Sequence, residues 1–234
     1  MTLQPDSVTV RSGVWRKLGK LGARFEALGH GGVAAEVPDG TVESLGRLGL
    51  VDLSPLPRTG FKGRGTIPAM QAAGVIVEAE PNRAFSQADG GLCAVLAPGE
   101  VLLLCGPHGD AALVRRLEAG WSIDEPRATY LVPRFSTHAW YRVTGELAPA
   151  MFATICGIDL RPKSFGQLDI AQTSVVRLTG IIIREDLAGT PAFHLLVHSA
   201  SAEYVWDCLL DAMAEFGGKP AGLSTLLQLA TSPP

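Results

Sequence analysis

The sequence is short of charge. Of its 234 residues 18% are Asp, Glu, Lys or Arg, where an ordinary soluble domain carries about a quarter. A sparsely charged surface is what a chain partly covered by another chain presents. The net charge is only −3, which gives no global field for nucleic acid or an anionic membrane, and neither is expected as a partner. Long apolar runs are missing too. A membrane span needs ~18 uninterrupted apolar residues, and the most apolar stretch, "LCAVLAPGEVLLLC", is broken by Pro98, Gly99 and Glu100. The opening "MTLQPDSVTV" has no charged head before an apolar core, so no secretory signal is expected and the cytoplasm is the expected compartment. Cysteine motifs are absent: Cys93, Cys105, Cys156 and Cys208 stand singly in apolar surroundings and read as buried thiols, not a disulfide frame or zinc site.

Catalytic signatures are also lacking. No serine sits in a G-x-S-x-G elbow. "CGPHGDAAL" offers a helix start after glycines but has neither nucleotide-loop spacing, and reads as an ordinary strand-to-helix turn with His108 or Asp110 near the first turn. His194 and His198 in "HLLVH" would share a face on a helix. The residues around them favour a strand, on which four positions span about 13 Å, too far for one ion. They read as structural histidines.

What is present is a pattern of elements. The 47% apolar content and this length support a core without staples, in one large domain or two small ones. Residues 1–47 are expected to form a basic, partly irregular, solvated arm: Arg11, Arg16, Lys17, Lys20 and Arg24 precede the acid Glu26, with glycines at 13, 19 and 22, and "GHGGVAAEVPDG" reads as loop. Beyond it, "AGVIVEAE" reads as a strand, "GLCAVLAPGEVLLLCG" as two strands about a Pro-Gly turn, and "HGDAALVRRLEAG" as a helix stopped by Gly120. A similar order follows: "AWYRV" as strand, "GELAPAMFATICG" as helix, "IAQTSVVRL", "GIIIRED" and "AFHLLVH" as strands, and "SASAEYVWDCLLDAMAEFGG" as a helix with Val205, Leu209, Met213 and Phe216 on one stripe. The expected fold is α+β, with two related halves at 48–120 and 121–218 and a tail at 219–234.

Two charged features stand out. Glu203, Asp207, Asp211 and Glu215 recur every four residues. Like charges at that spacing cost a helix a few tenths of a kcal/mol per pair, so the stripe is either a solvated face or a docking face for a basic surface, the chain's own arm or another subunit. "PRTGFKGRG" sets Arg58, Lys62 and Arg64 about Phe61 among flexible glycines. It can hold a carboxylate or phosphate, present Phe61 as an interface anchor, or simply turn the chain; it is read here as a docking or shaping loop.

Taken together, "LGLVDLSPLPRTGFKGRG", "AVLAPGEVLLLC", "ICGIDLRPKSFGQLDIAQTSVVRLTGIIIRED" and "FHLLVHSASAEYVWDCLLDAMAEF" resemble the gamma subunit of heterotetrameric sarcosine oxidase. More distantly they resemble the folate-binding aminomethyltransferase (glycine-cleavage T-protein) superfamily. The resemblance spans roughly residues 45–218. It implies a fold of two α+β halves and the role of a structural subunit, with alpha, beta and delta subunits as partners. The complex it resembles oxidatively demethylates sarcosine to glycine, forms peroxide, and passes the one-carbon unit to tetrahydrofolate. Its FAD, FMN, NAD, tetrahydrofolate and zinc are held by the other subunits, so no catalytic, cofactor or metal residue is expected in this chain. The alternative is a stand-alone folate-dependent aminomethyl or one-carbon transferase, with the Arg58–Arg64 loop serving the glutamate tail of folate. The carboxylate that such transferases use at the folate amine has no assigned counterpart here.

Overall fold

The computed structural model describes residues 3–232 apart from 5, 6, 30, 125 and 126. Met1, Thr2, Pro5, Asp6 and His30 of the expected arm, and Pro233 and Pro234 of the expected tail, lie outside the described residues. The chain divides into two units. The larger comprises Met1–Pro55, His138–Gln167 and Ala171–Pro234, and the smaller Leu56–Thr137 with Leu168–Ile170.

The chain begins in the larger unit with β1 (Val10–Arg11), α1 (Trp15–Lys20), β2 (Arg24–Leu28), β3 (Gly31–Glu36), α2 (Val42–Leu48) and β4 (Gly49–Asp52). The described residues of the expected irregular arm are therefore folded in large part. Val14 and Leu18, four residues apart, are fully buried and Phe25 is nearly so, which holds α1 to the main core. The small residues of "GGVAAE" build the central strand of a sheet ordered β1-β3-β2. Thr41 caps α2 in a reciprocal box with Ser44.

The smaller unit runs β5 (Arg58–Lys62), α3 (Thr66–Ala72), β6 (Arg83–Ser86), β7 (Leu92–Ala97), β8 (Glu100–Leu104), α4 (Ala112–Ala119) and β9 (Tyr130–Leu131), with sheet order β6-β7-β8-β5-β9. Phe61, Met70, Cys93, Val95, Val101 and Leu103 are among its core residues. The hairpin at Pro98-Gly99 forms as expected. "AGVIVEAE" is not a strand. Val75 and Val77 are buried and Ile76 exposed, an extended alternation whose ladder partner is a side chain: the Gln87 amide accepts from the Ile76 N–H at 3.0 Å and donates to the Ile76 carbonyl at 2.8 Å. The local pattern is that of a strand, but among the described residues no second strand lies alongside.

Back in the larger unit come β10 (His138–Thr144), α5 (Ala148–Ile155), β11 (Ile170–Val175), β12 (Leu178–Arg184), β13 (Ala192–His198), a 3-10 turn at Ser199–Ser201, α6 (Ala202–Ala214), β14 (Lys219–Pro220) and α7 (Leu223–Thr231). Their sheet, with β4, is ordered β11-β12-β13-β10-β4-β14. The expected tail is a helix, α7, that buries Leu223, Leu226 and Leu229 at three-residue spacing.

The expected duplication is visible in the hydrogen bonds. Both β5-α3-β6-β7-β8-α4 and β10-α5-β11-β12-β13-α6 order their strands second, third, fourth, first. Lys62 opposes Glu100 in one, and Thr144 opposes Ala192 in the other. The next residue donates backward each time, Gly63 to the Gly99 carbonyl (2.9 Å) and Gly145 to the Pro191 carbonyl (2.8 Å). The helices then start with Thr66 donating to Gly63 and Ala148 to Gly145. The boundaries differ from those expected. β4 belongs with β10, paired Tyr141 to Asp52 through Thr144 to Gly49, so the smaller unit starts after Pro55 and not at 48.

Candidate functional site

Alternation along β10 sends Tyr141 and Val143 into the main core and leaves Trp140 and Arg142 on the opposite face. Arg142 pairs across the ladder with His194 of β13, and Trp140 with Leu196. Glu185 follows β12 directly, its N–H donating to the Ala192 carbonyl. These placements assemble a buried polar chain. Trp140 Nε1 donates to His194 Nδ1 at 2.9 Å, His194 Nε2 lies 2.9 Å from Glu185 Oε2, and Arg142 Nη2 lies 3.1 Å from the same oxygen. Arg142 also donates to the Glu185 carbonyl, while its Nη1 is buried with no hydrogen-bond partner among the described residues. Beside it, Arg184 forks onto both oxygens of Asp186 at 2.9 and 2.6 Å.

The chain of bonds fixes the protons. An indole N–H can only donate, so His194 Nδ1 is bare and Nε2 carries the hydrogen that Glu185 accepts. Burial, joined by the Arg142 charge, pushes the imidazole down to about 4. Burial alone would raise the Glu185 carboxyl, but the His194 hydrogen bond and Arg142 outweigh it and hold it near 2. At neutral pH the set is a neutral histidine between an indole and an arginine-paired carboxylate. A histidine so held resembles half of a proton relay, but its other nitrogen meets tryptophan, which has no proton-accepting or nucleophilic role to play.

A pH dependence follows. Between about 4 and the 6.5 of an unfolded histidine, the unfolded chain binds a proton that the folded chain refuses. Stability therefore falls as pH is lowered through that window, by on the order of 3 kcal/mol. The protonated ring would also turn both nitrogens into donors, one facing the Trp140 N–H. Urea midpoints should drop more steeply from pH 7 to pH 4.5 in the native protein than in His194→Gln; equal slopes would contradict the assignment.

The loop at Arg58–Arg64 is built differently from its sequence reading. Phe61 is 1% exposed and sits in the smaller core, so it is not a surface anchor. Arg58 is 2% exposed, donates to the carbonyls of Leu56 (2.9 Å) and Phe135 (2.6 Å), and lies over the Phe135 ring. It ties two chain segments together instead of facing a ligand. Strand alternation and a buried carbonyl cage explain both outcomes. Lys62 is exposed and pairs with Glu100 at 2.8 Å; Arg64 is exposed. On α6, Glu203, Asp207 and Asp211 are exposed, as is Glu215 at its C-terminal end. Lys17 of α1 reaches the first two, 3.8 Å from Glu203 and 2.9 Å from Asp207, so a cation of the chain's own N-terminal segment pairs with two of the four while both stay exposed. Near Glu215, Arg47 donates to the Phe216 carbonyl at 3.3 Å, placing a cation where the helix dipole is negative.

Cys93 and Cys105 are buried, and burial pushes both thiols up to about 12, unsuited to thiolate chemistry. Among the described residues no three His, Cys, Asp or Glu side chains are grouped to hold a metal, and no helix is long and apolar enough to cross a membrane. A cavity of about 180 Å³ in the smaller unit is lined by Phe61, Met70, Arg116 and Leu117 among others. It is below the ~300–1,000 Å³ usual for small-molecule sites, and Arg116 is engaged at the end of α3 through the Ala73 carbonyl at 2.7 Å.

His194 stands out in the sequence, and its partners do not. The available signal was Arg142, a lone charge inside the apolar strand "AWYRV", two residues from a tryptophan and so on the same face. Glu185, in "RED", carried no signal that it would meet them.

No protein-family model matches the sequence, and no curated protein matches it. Solved structures do. A chain of the heterotetrameric sarcosine oxidase from Corynebacterium sp. U-96, in complex with pyrrole 2-carboxylate, superposes with a TM-score of 0.60 at 21% identity, over 73% of this chain and 86% of that one. The glycine cleavage system aminomethyltransferase T from Bartonella henselae superposes with a TM-score of 0.70 at 15% identity, over 94% of this chain. This chain spans 62% of that transferase's length. The protein therefore has the mixed α+β, aminomethyltransferase-like fold that these structures share.

Proposed function

We propose that this protein is a noncatalytic, assembly-forming subunit of a flavin-dependent oxidase complex of the sarcosine oxidase type, acting on an N-methyl amino acid. The observation that carries the reading is the superposition on a chain of such a complex: 73% of this chain matches 86% of the oxidase chain. The chemistry of the buried polar chain agrees with a structural role, because Glu185 and His194 are consumed by each other and by Arg142 and Trp140. Flavins, NAD, tetrahydrofolate and zinc would then belong to alpha-, beta- and delta-type partners.

The test is co-expression of this chain with the alpha-, beta- and delta-type subunits encoded in the same organism. Leaving this chain out should abolish recovery of the assembled oxidase and its sarcosine-dependent peroxide release. A fully active complex assembled without it would overturn the reading.

The superposition of 94% of the chain on aminomethyltransferase T favours a second reading, a folate-dependent one-carbon transferase. Saturable binding of tetrahydrofolate to the isolated chain would promote it, and no heat of binding at high micromolar folate would remove it.

A further inference from the structure

The feature the proposed function leaves unused is the basic N-terminal segment. Five cations, Arg11, Arg16, Lys17, Lys20 and Arg24, occupy a stretch with no acid before Glu26. The segment is not a solvated tail: Val14 and Leu18 are fully buried, which fixes the face that α1 turns outward. That face is preorganised. Arg16 lies 4.7 Å and Arg11 5.5 Å from the centre of the Trp15 ring, so two guanidiniums are parked on one indole. A stacked guanidinium keeps its in-plane N–H edges available to a carboxylate.

The segment already shows what it recognises. Lys17 binds Asp207 and Glu203 of α6, and Arg24 closes on Glu26 and Glu36. Arg11, Arg16 and Lys20 remain exposed with no carboxylate partner among the described residues, and Leu21 beside them is 40% exposed. Arginine and tryptophan are also the residue types that carry most binding energy at protein interfaces.

We propose that Arg11, Trp15, Arg16 and Lys20 form a docking surface for an acidic segment of a partner protein chain. A phosphate array, whether a membrane or a nucleic acid, fits less well. Such an array would also meet Glu203 and Asp207, which lie beside Lys17, and be repelled there, whereas a protein can set carboxylates against α1 and other groups against α6. Naming that partner as an oxidase subunit rests on the function proposed above; the surface itself does not.

The experiment has two parts. In the first, a fluorescein-labelled Glu-Asp-Gly repeat peptide is titrated onto the full chain and followed by anisotropy. Binding should saturate, weaken as salt rises, and fall at least about tenfold in Arg16→Glu with Lys20→Glu. It should fall in Trp15→Ala, which changes no charge, and hold in Lys163→Glu with Arg115→Glu, two exposed cations whose reversal changes charge by the same amount elsewhere. Failure to saturate, equal loss in the distant pair, or tighter binding to phosphatidylserine vesicles than to the peptide overturns the proposal. In the second part, Arg16→Glu with Lys20→Glu enters the co-expressed complex. Assembly should fall about tenfold with the isolated chain's thermal midpoint unchanged. Full assembly with the reversed helix overturns the surface and leaves the subunit reading standing. If the native chain itself assembles with nothing, the subunit reading fails and the peptide titration decides the surface alone.

Discussion

Replacing Gly65 with alanine is expected to destabilise the protein by about 3 kcal/mol or more, a fall of roughly 10 °C in Tm for a chain of this size. A Cβ there would lie 1.8 Å from the Arg127 carbonyl oxygen, against backbone that cannot swing aside, while the Gly65 N–H donates to the Ala128 carbonyl at 3.0 Å. Gly63 is held as tightly, with φ +149° and its would-be Cβ 2.1 Å from the Ala128 carbonyl oxygen. The glycines of "GFKGRG" are therefore close-approach residues that let three backbone segments meet, and the loop shapes the smaller unit. Gly46 on α2 supplies the contrast: nothing lies within 4 Å of its would-be Cβ, so Gly46→Ala should be neutral or stabilise by up to about 1 kcal/mol. Thermal melts of the two variants decide the matter. A Gly65→Ala midpoint within a degree or two of the native protein would mean the loop can open, and its reading as a rigid shaping element would be wrong.

Removing the Glu185 carboxylate is the second change of large effect. Arg142 is 2% exposed at its side chain and Glu185 28%, so Glu185→Leu strands a guanidinium and the His194 N–H in the interior. Breaking a buried pair from one side costs about 3–5 kcal/mol. Converting both ends, Arg142→Met with Glu185→Leu, removes the uncompensated charge and should cost clearly less than the sum of the single changes, with a coupling of about 1–3 kcal/mol. Urea unfolding of the four proteins measures that coupling. Strict additivity would show that Arg142 and Glu185 do not act as a pair. A loss of sarcosine-dependent activity in an otherwise stable, assembled Glu185→Gln protein would instead give this carboxylate a chemical role.

Much of the architecture was legible because it is written locally. The β7–β8 hairpin is marked by Pro98-Gly99, α6 by its apolar stripe, and the duplication by two runs of elements in the same order. What was not legible depends on partners distant in sequence. Residues 73–80 have the composition of a strand and lack a neighbour to pair with, which only the fold decides. β4 reads as the start of the first half and pairs with β10, some ninety residues on. Residues 1–47 looked irregular because their glycines lower helix and strand propensity, while Val14, Leu18 and the small residues of β3 are bought back by burial. Phe61 and Arg58 were candidates for a surface because their neighbours are cations and glycines. Alternation placed Phe61 in the core, and two backbone carbonyls took Arg58. The buried chain through His194 was half visible. A histidine on an apolar strand announces a need for partners, but not that they would be Trp140, Glu185 and Arg142.

If this protein works inside an assembly, gentle affinity purification from its native cells brings its partners with it. A yellow complex containing larger partner chains is expected, with a flavin visible spectrum and sarcosine-dependent release of peroxide. A colourless chain recovered alone, at the mass of its own 234 residues and binding tetrahydrofolate, would contradict it.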